Sequence, residues 1–191
     1  MVWKDYIVKQ FDVVNRFTTK ESDLYGAYNT LLCDLFPAAE YYQVAPQFRQ
    51  YTEDYTVVSY VVLKGETPIF FVEIKTFVAL NLGKARAEAD DQMRAIFLDF
   101  ASDRLPQSKL IGISAMGTRF AVYEYITNSR RLTPPRIIRS HHDPLIDTAP
   151  EERWNDDIME DSGEAKFKVL VDEVKEMALA ISEVCEYYFL R

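Results

Sequence analysis

The sequence has few cysteines, no long apolar run and fewer basic than acidic residues. Its two cysteines, Cys33 and Cys185, lie in helix-like apolar patterns, and their spacing does not suggest a zinc site. We therefore predict two buried free thiols in a reducing compartment. No apolar run approaches the ~20 residues that a membrane helix needs, and the N-terminus lacks the apolar core of a signal peptide. The sequence predicts an intracellular protein, cytoplasmic or nuclear, without a membrane partner.

The charge balance limits how this chain can approach nucleic acid. Its 22 basic and 30 acidic residues give a formal net charge of −8, whereas proteins that bind nucleic acid tightly usually carry a basic surface. This chain needs a local basic patch, a metal ion or a partner to approach a polyanion. The composition, 48% hydrophobic and 27% charged, is typical of a folded protein. We predict a single domain over residues 1–191.

The most informative stretch runs from Thr52 to Phe77. Two segments rich in Val, Tyr, Ile and Phe flank a Gly/Pro turn at residues 64–68, which predicts an antiparallel hairpin. Residues two apart on a strand share a face, so Glu73 and Lys75 point the same way. Asp54 begins the first strand and should lie beside the end of the second. The hairpin therefore predicts that Asp54, Glu73 and Lys75 meet at one end.

The residue types in this cluster suit metal-dependent hydrolysis of a phosphodiester. Two converging carboxylates, Asp54 and Glu73, can hold a divalent cation such as Mg²⁺ or Mn²⁺, which activates water and stabilises charge on a phosphodiester. Lys75 can orient or deprotonate the attacking water, or neutralise developing charge. The alternative is an ordinary surface ion pair, because a Glu-x-Lys sequence is common.

Further elements surround the hairpin. Thr18 and Glu21 form a predicted capping box for a helix that ends near Phe36, and an early strand is expected within residues 41–48. After the hairpin, the pattern predicts a loop that covers the site, a long helix and two strands; these last three elements span 84–103, 109–115 and 119–126. The strands at 109–115 and 119–126 form a second predicted hairpin. We expect the inner strands of the two hairpins to pair in parallel through a right-handed crossover.

These elements together resemble the PD-(D/E)XK nuclease-like superfamily. The matching residues are Glu53-Asp54, in place of Pro-Asp, and Glu73-x-Lys75, and the resemblance covers about residues 18–126. It implies an α/β restriction-endonuclease-like fold. The expected core has the order αβββαβ, with a central mixed sheet flanked by helices.

The resemblance also implies two further site residues. In many such folds the first helix contributes an acidic metal ligand, for which Glu21 is the candidate; helix capping is the alternative. Gln92, on the helix after Lys75, corresponds to a glutamine that reaches the metal-site water or phosphate in several branches. The match is loose, because Ile96 stands where an aromatic residue often follows, and the alternative is a glutamine bonded to nearby backbone.

Basic residues on the same helix are the predicted substrate-binding groups. They are Lys84, Arg86 and Arg94. They could contact phosphate, or pair instead with the acidic residues of their own helix at positions 88, 90 and 91.

Residues 127–191 read as an accessory segment. An acidic stretch at 147–163 precedes a long amphipathic helix predicted from Glu164 to Arg191. Its wide apolar stripe favours packing on the domain's own core. A homodimer through this C-terminal helix is the alternative.

Several segments, among them residues 24–29 and 112–118, also resemble uncharacterised proteins of mushroom-forming fungi, a resemblance that brings no activity with it. Two hypotheses follow from the sequence. The first is a metal-dependent nuclease that cleaves DNA or RNA. The second is a nuclease-like domain without catalysis that acts as a binding or assembly module.

Overall fold

The computed structural model describes residues 3–49, 57–102, 105–138 and 149–189. The helices are Asp5–Asp12 (α1), Ser22–Leu35 (α2), Gly83–Ser102 (α3) and Asp161–Phe189 (α4). The strands are Tyr42–Arg49 (β1), Val57–Lys64 (β2), Thr67–Lys75 (β3), Lys109–Met116 (β4), Arg119–Ile126 (β5), Arg131–Thr133 (β6) and Asp156–Asp157 (β7). Three short 3-10 helices occupy Ala38–Glu40, Phe77–Asn81 and Glu151–Trp154.

The strands form one mixed sheet. Its order is β1-β2-β3-β4-β5-β6, and β7 pairs with β5. Only β3 and β4 pair in parallel, with α3 as the crossover between them; the other described pairs are antiparallel. The order α2-β1-β2-β3-α3-β4 confirms the predicted αβββαβ core with a central mixed sheet, flanking helices and a long C-terminal helix.

Helices cover both faces of this sheet. Alternate residues of β3 point to opposite sides: Phe70, Val72 and Ile74 pack towards the layer of α1, α2 and α4, and Phe71 packs towards α3. All four side chains are fully buried. A strand covered on both faces reads as a continuous apolar run, so the buried Glu73 departs from this pattern.

The central hairpin is confirmed as an antiparallel pair. Tyr60 lies opposite Val72, and the turn passes through Gly65 at φ +62°, a backbone conformation that glycine adopts without steric cost. Lys75 pairs with Met116 at the carboxyl ends of the parallel strands β3 and β4. The segment after Lys75, predicted as a loop, contains the 3-10 helix Phe77–Asn81.

Two local predictions on α2 were wrong. The helix begins at Ser22 with Glu21 at the N-cap and no side-chain cap. Thr18 instead donates to the Asp23 carboxylate and accepts the Lys20 N–H at 3.1 Å, because it lies too early to cap the first turn. Cys33 is exposed rather than buried, since it lies beside, not within, the buried stripe of the helix.

That buried stripe follows the spacing of a packed amphipathic helix. It consists of Leu24, Ala27, Tyr28, Leu31 and Leu32. α4 buries a similar stripe against the protein's own core, from Phe167 to Ala178. Among the described helices, none combines the length and apolarity needed to cross a membrane.

Candidate functional site

Glu73 is the buried carboxylate at the end of β3. Its side chain faces α3 and the residue is 3% exposed. Oε2 accepts hydrogen bonds from the Ser59 backbone N–H at 2.9 Å and the Ser59 hydroxyl at 3.1 Å. Oε1 accepts the Gln92 side-chain amide at 2.7 Å. The carboxylate is therefore held from β2 on one side and from α3 on the other.

Burial dominates the charge state of Glu73. Desolvation raises the pKa of its carboxyl above the usual value, although the Ser59 N–H, the Lys75 charge and the Ser59 hydroxyl act in the opposite direction. The folded protein thus stabilises the ionised form of this side chain poorly. A buried acid with a raised pKa beside a lysine is a common feature of functional sites.

Lys75 lies between two carboxylates. Its Nζ is 3.0 Å from Glu21 and 3.6 Å from Glu73. Burial alone lowers the pKa of Lys75, but attraction to Glu73 and to Glu21 outweighs burial, so the net shift is upward. Lys75 is therefore a protonated cation at neutral pH.

The structure brings four predicted site residues together. Glu73 and Lys75 share one face of β3, Gln92 reaches them from α3, and Glu21 arrives from the N-cap of α2. Gln92 therefore bonds a site carboxylate rather than nearby backbone. The fifth residue, Asp54, lies outside the described residues.

Sequence reasoning missed Ser59. It is the hydroxyl-bearing residue within the apolar strand β2, and the register Tyr60↔Val72 places it beside Glu73. Its hydroxyl also accepts the Ile74 N–H at 3.1 Å. Counting back from the hairpin turn would have placed Ser59 opposite Val72, because the register shifts by one residue between Val62 and Leu63.

The donors of this cluster can be tested against the predicted Mg²⁺ or Mn²⁺. A carboxylate offers about four lone-pair positions; Ser59 occupies those of Oε2, and Gln92 takes one at Oε1. Lys75 Nζ is 3.6 Å from Oε1, and the oxygen chemistry suits a hard cation. Within the described ranges, no group of three or more potential metal ligands is present. Glu73 alone is therefore placed to bind such an ion, and ligation by Asp54 or Glu21 stays a prediction.

The predicted substrate-binding residues lie elsewhere on α3. Lys84 is exposed and is 3.7 Å from Glu88. Arg86 is buried; it donates to the Ala149 carbonyl at 2.8 Å and to the Leu80 carbonyl. Arg94 is bound to Asp90 and, at 2.7 Å, to the Pro134 carbonyl. A phosphate contact by either arginine stays a prediction that requires its guanidinium group to leave these partners.

A second buried carboxylate, Asp90, lies on α3, and its environment differs from that of Glu73. Two arginines contact it: Arg94 at 3.0 Å and Arg153 at 2.6 Å. It also accepts the Tyr123 hydroxyl at 2.9 Å and the Ile137 N–H at 2.9 Å. Burial alone raises the pKa of Asp90, but these bonds, with Arg94 first, lower it below its usual value. This network joins α3 to β5 and to residues from the accessory segment.

Comparisons with known proteins add little to this geometry. No protein-family model matches the chain, and no curated protein matches it. A solved structure to which the chain is similar is that of the type IIG restriction endonuclease BpuSI, with 13% sequence identity and a TM-score of 0.41. The similarity covers 80% of this chain and 16% of the endonuclease chain, so this chain spans a small part of that protein.

Proposed function

We propose that the chain is a metal-dependent nuclease of the PD-(D/E)XK type, which hydrolyses phosphodiester bonds in DNA or RNA. The observation that carries the proposal is the buried Glu73 carboxylate, held by Ser59 and Gln92 next to the protonated Lys75 at a strand end. Burying an acid whose ionised form is disfavoured costs stability, and such costs cluster at functional sites.

Each residue has a distinct role in this proposal. Glu73 and Asp54, with Glu21 as a further ligand, hold Mg²⁺ or Mn²⁺. When bound, the ion lowers the pKa of a water molecule and offsets charge on the phosphodiester. Gln92 fixes the orientation of Glu73 through its bond to Oε1. Lys75 faces the same space as a cation and stabilises the negative charge that develops on phosphate oxygens.

The two carboxylates that contact Lys75, Glu21 at 3.0 Å and Glu73 at 3.6 Å, support one of its candidate roles, because they favour the protonated amine. A group that stays protonated at neutral pH donates hydrogen bonds and supplies positive charge, but it does not accept a proton from water. We therefore assign Lys75 to charge stabilisation rather than to general-base catalysis.

The structure offers a matched control for Lys75. Lys109, at the start of β4, also lies between two glutamates, at 3.1 Å from Glu124 and 2.5 Å from Glu173. It lies at the opposite end of the parallel strands from Lys75. Both of its partners are partly exposed, whereas Glu73 is buried.

The test is cleavage of labelled single- and double-stranded DNA and RNA with Mg²⁺, Mn²⁺ or neither ion. We expect metal-dependent cleavage that Lys75→Met slows by roughly 100-fold or more, because it removes a preorganised charge. Lys109→Met should retain the wild-type rate, and Asp54→Asn should lose cleavage with Lys75→Met. Equal loss in the Lys75 and Lys109 variants would assign the effect to folding and contradict the proposed role.

The net charge of −8 favours a second candidate function, a nuclease-like module that binds or assembles without cleaving. The internal bonds of Arg86 and Arg94 favour the same candidate, since they leave α3 without an evident phosphate-binding patch. Absence of cleavage together with absence of Mn²⁺ binding by calorimetry would move the function to this class. Dimerisation through α4 has no support from the stripe that packs on the core.

A further inference from the structure

The loop of residues 15–21, here called the rim loop, lies beside the Glu73–Lys75 cluster. Two contacts fix its position. The Arg16 guanidinium carbon is 5.7 Å from the centre of the Phe77 ring, and Glu21 is 3.0 Å from Lys75. The residues between Arg16 and Glu21 therefore lie at the edge of the candidate site.

Phe77 is itself anchored beside this site. Gly117 follows β4 at φ +65° and donates its N–H to the Lys75 carbonyl at 2.9 Å. A Cβ atom at position 117 would lie 2.0 Å from the Phe77 ring, so the absence of a side chain lets that ring approach the backbone. Arg16 is thus placed on a fixed aromatic surface two residues beyond Lys75.

The rim loop exposes an aromatic ring from an ordered backbone. Asn15 accepts the Phe17 N–H through its side chain at 2.9 Å and the Thr18 N–H through its carbonyl at 3.0 Å. The side chain of Thr18 is buried, yet the neighbouring Phe17 is 85% exposed. An exposed phenylalanine contributes little to folding, since its apolar surface stays in water.

The rim loop also carries two exposed cations, of which Arg16 contacts the Phe77 ring. Arg16 and Lys20 are exposed, and neither forms an ion pair or side-chain hydrogen bond within the described part of the chain. The three basic residues singled out on α3 all have protein partners. On a chain with a net charge of −8, this makes the rim loop a local positive segment beside the candidate site.

We infer that the rim loop binds single-stranded nucleic acid, with Phe17 stacked on an unpaired base and Arg16 and Lys20 on the adjacent phosphates. The inference rests on the proposed nuclease function and names its substrate class. Cations that track the backbone, combined with exposed aromatic rings, are the general means of binding single strands. A duplex keeps its base faces stacked, so it offers Phe17 no equivalent partner except at its ends.

The test measures binding by fluorescence anisotropy without divalent metal, so that cleavage does not occur. The probes are a labelled single-stranded DNA, an RNA of the same sequence and the matching DNA duplex. We expect the wild-type chain to bind both single strands more tightly than the duplex. Phe17→Ala should weaken single-strand binding about tenfold and leave duplex binding nearly unchanged.

Two further variants sharpen this test. Arg16→Met with Lys20→Met should weaken all complexes and reduce the salt dependence, by roughly 0.7 in the log–log slope per lost contact on single strands. Tyr41→Ala is the matched control, because Tyr41 is also an exposed aromatic residue beside a cation. It is 83% exposed, and Lys64 Nζ is 5.7 Å from the centre of its ring. It precedes β1 at the turn end of the central hairpin, away from the candidate site, and should bind like the wild type.

Equal affinity for single strands and duplex, or unchanged single-strand binding by Phe17→Ala, would overturn the inference. If metal-dependent cleavage still required Lys75, the proposed function would survive that result. Conversely, rim-loop variants that lose single-strand binding in a chain that never cleaves would retain the inference and reject the nuclease function.

Discussion

Two buried carboxylates in this protein have opposite electrostatic environments. Asp90 is fully buried and is bound by two arginines, a tyrosine hydroxyl and a backbone N–H, and its pKa is lowered. Glu73 is almost as buried, but its neighbouring cation is 3.6 Å away and is shared with Glu21, and its pKa is raised. Burial alone therefore does not set the direction of the pKa shift of an acid in this protein; its partners decide it.

The difference also separates two uses of charge. The partners of Asp90 compensate its desolvation and join distant parts of the chain, so its ionised form supports the fold. Glu73 is held in place mainly by neutral donors, which orient the carboxylate without balancing its charge. A cation bound at Oε1 would supply the missing balance, and this imbalance is what we propose the nuclease site uses.

The largest effect on stability is expected from neutralising Asp90. Asp90→Asn leaves Arg94 and Arg153, whose side chains are 18% and 12% exposed, without their counter-charge, so we expect a loss of about 3 kcal/mol in the free energy of unfolding. The adjacent Asp91→Asn is the matched control: it breaks a more exposed pair with Arg136 and should cost at most about 1 kcal/mol. Urea denaturation measures both. Similar losses in the two variants would contradict a structural role specific to Asp90.

A smaller and opposite effect is expected at Glu73. Glu73→Gln removes a poorly stabilised buried charge while keeping the size of the side chain, so we expect the free energy of unfolding at neutral pH to rise by roughly 1 kcal/mol. The chain should gain stability although it loses a proposed site residue. Urea denaturation at neutral pH measures this difference, and a large loss of stability would show that the Glu73 carboxylate supports the fold as Asp90 does.

The pH dependence of this gain has a definite sign. Because the folded-state pKa of Glu73 is raised above 4.5, the folded protein binds more protons than the unfolded chain between the two pKa values. Wild-type stability contributed by this group therefore falls as pH rises through the folded pKa. The advantage of Glu73→Gln should be largest at neutral pH and shrink on acidification, as repeated denaturation curves would show. A gain that grows on acidification would contradict the raised pKa.

Local pattern predicted much of the fold and part of the candidate site. Strand alternation and the Gly65 turn predicted the hairpin, and two-residue spacing on β3 predicted that Glu73 and Lys75 share a face. Helical periodicity placed Gln92 on the side of α3 that meets them. These features depend on contacts close in sequence or fixed by one turn, which residue patterns report directly.

Contacts distant in sequence could not be predicted in the same way. Arg153 reaches Asp90 across 63 positions, and its own surroundings contain no signal of that partner. Prediction from the sequence also failed at short range, for the burial of Cys33 and the capping box at Thr18. One position along a helix changes which side a residue faces. Asp54 lies outside the described residues, so its place in the site stays a prediction.

The most direct test of the account is the rate of Mn²⁺-dependent cleavage of a labelled single-stranded oligonucleotide by the wild-type and Glu73→Gln chains. We predict that the wild type cleaves and that the folded, more stable variant is slower by roughly 100-fold or more, because a neutral amide binds the ion far less well. Equal rates in the two chains would show that Glu73 is not a site residue and would contradict the central claim.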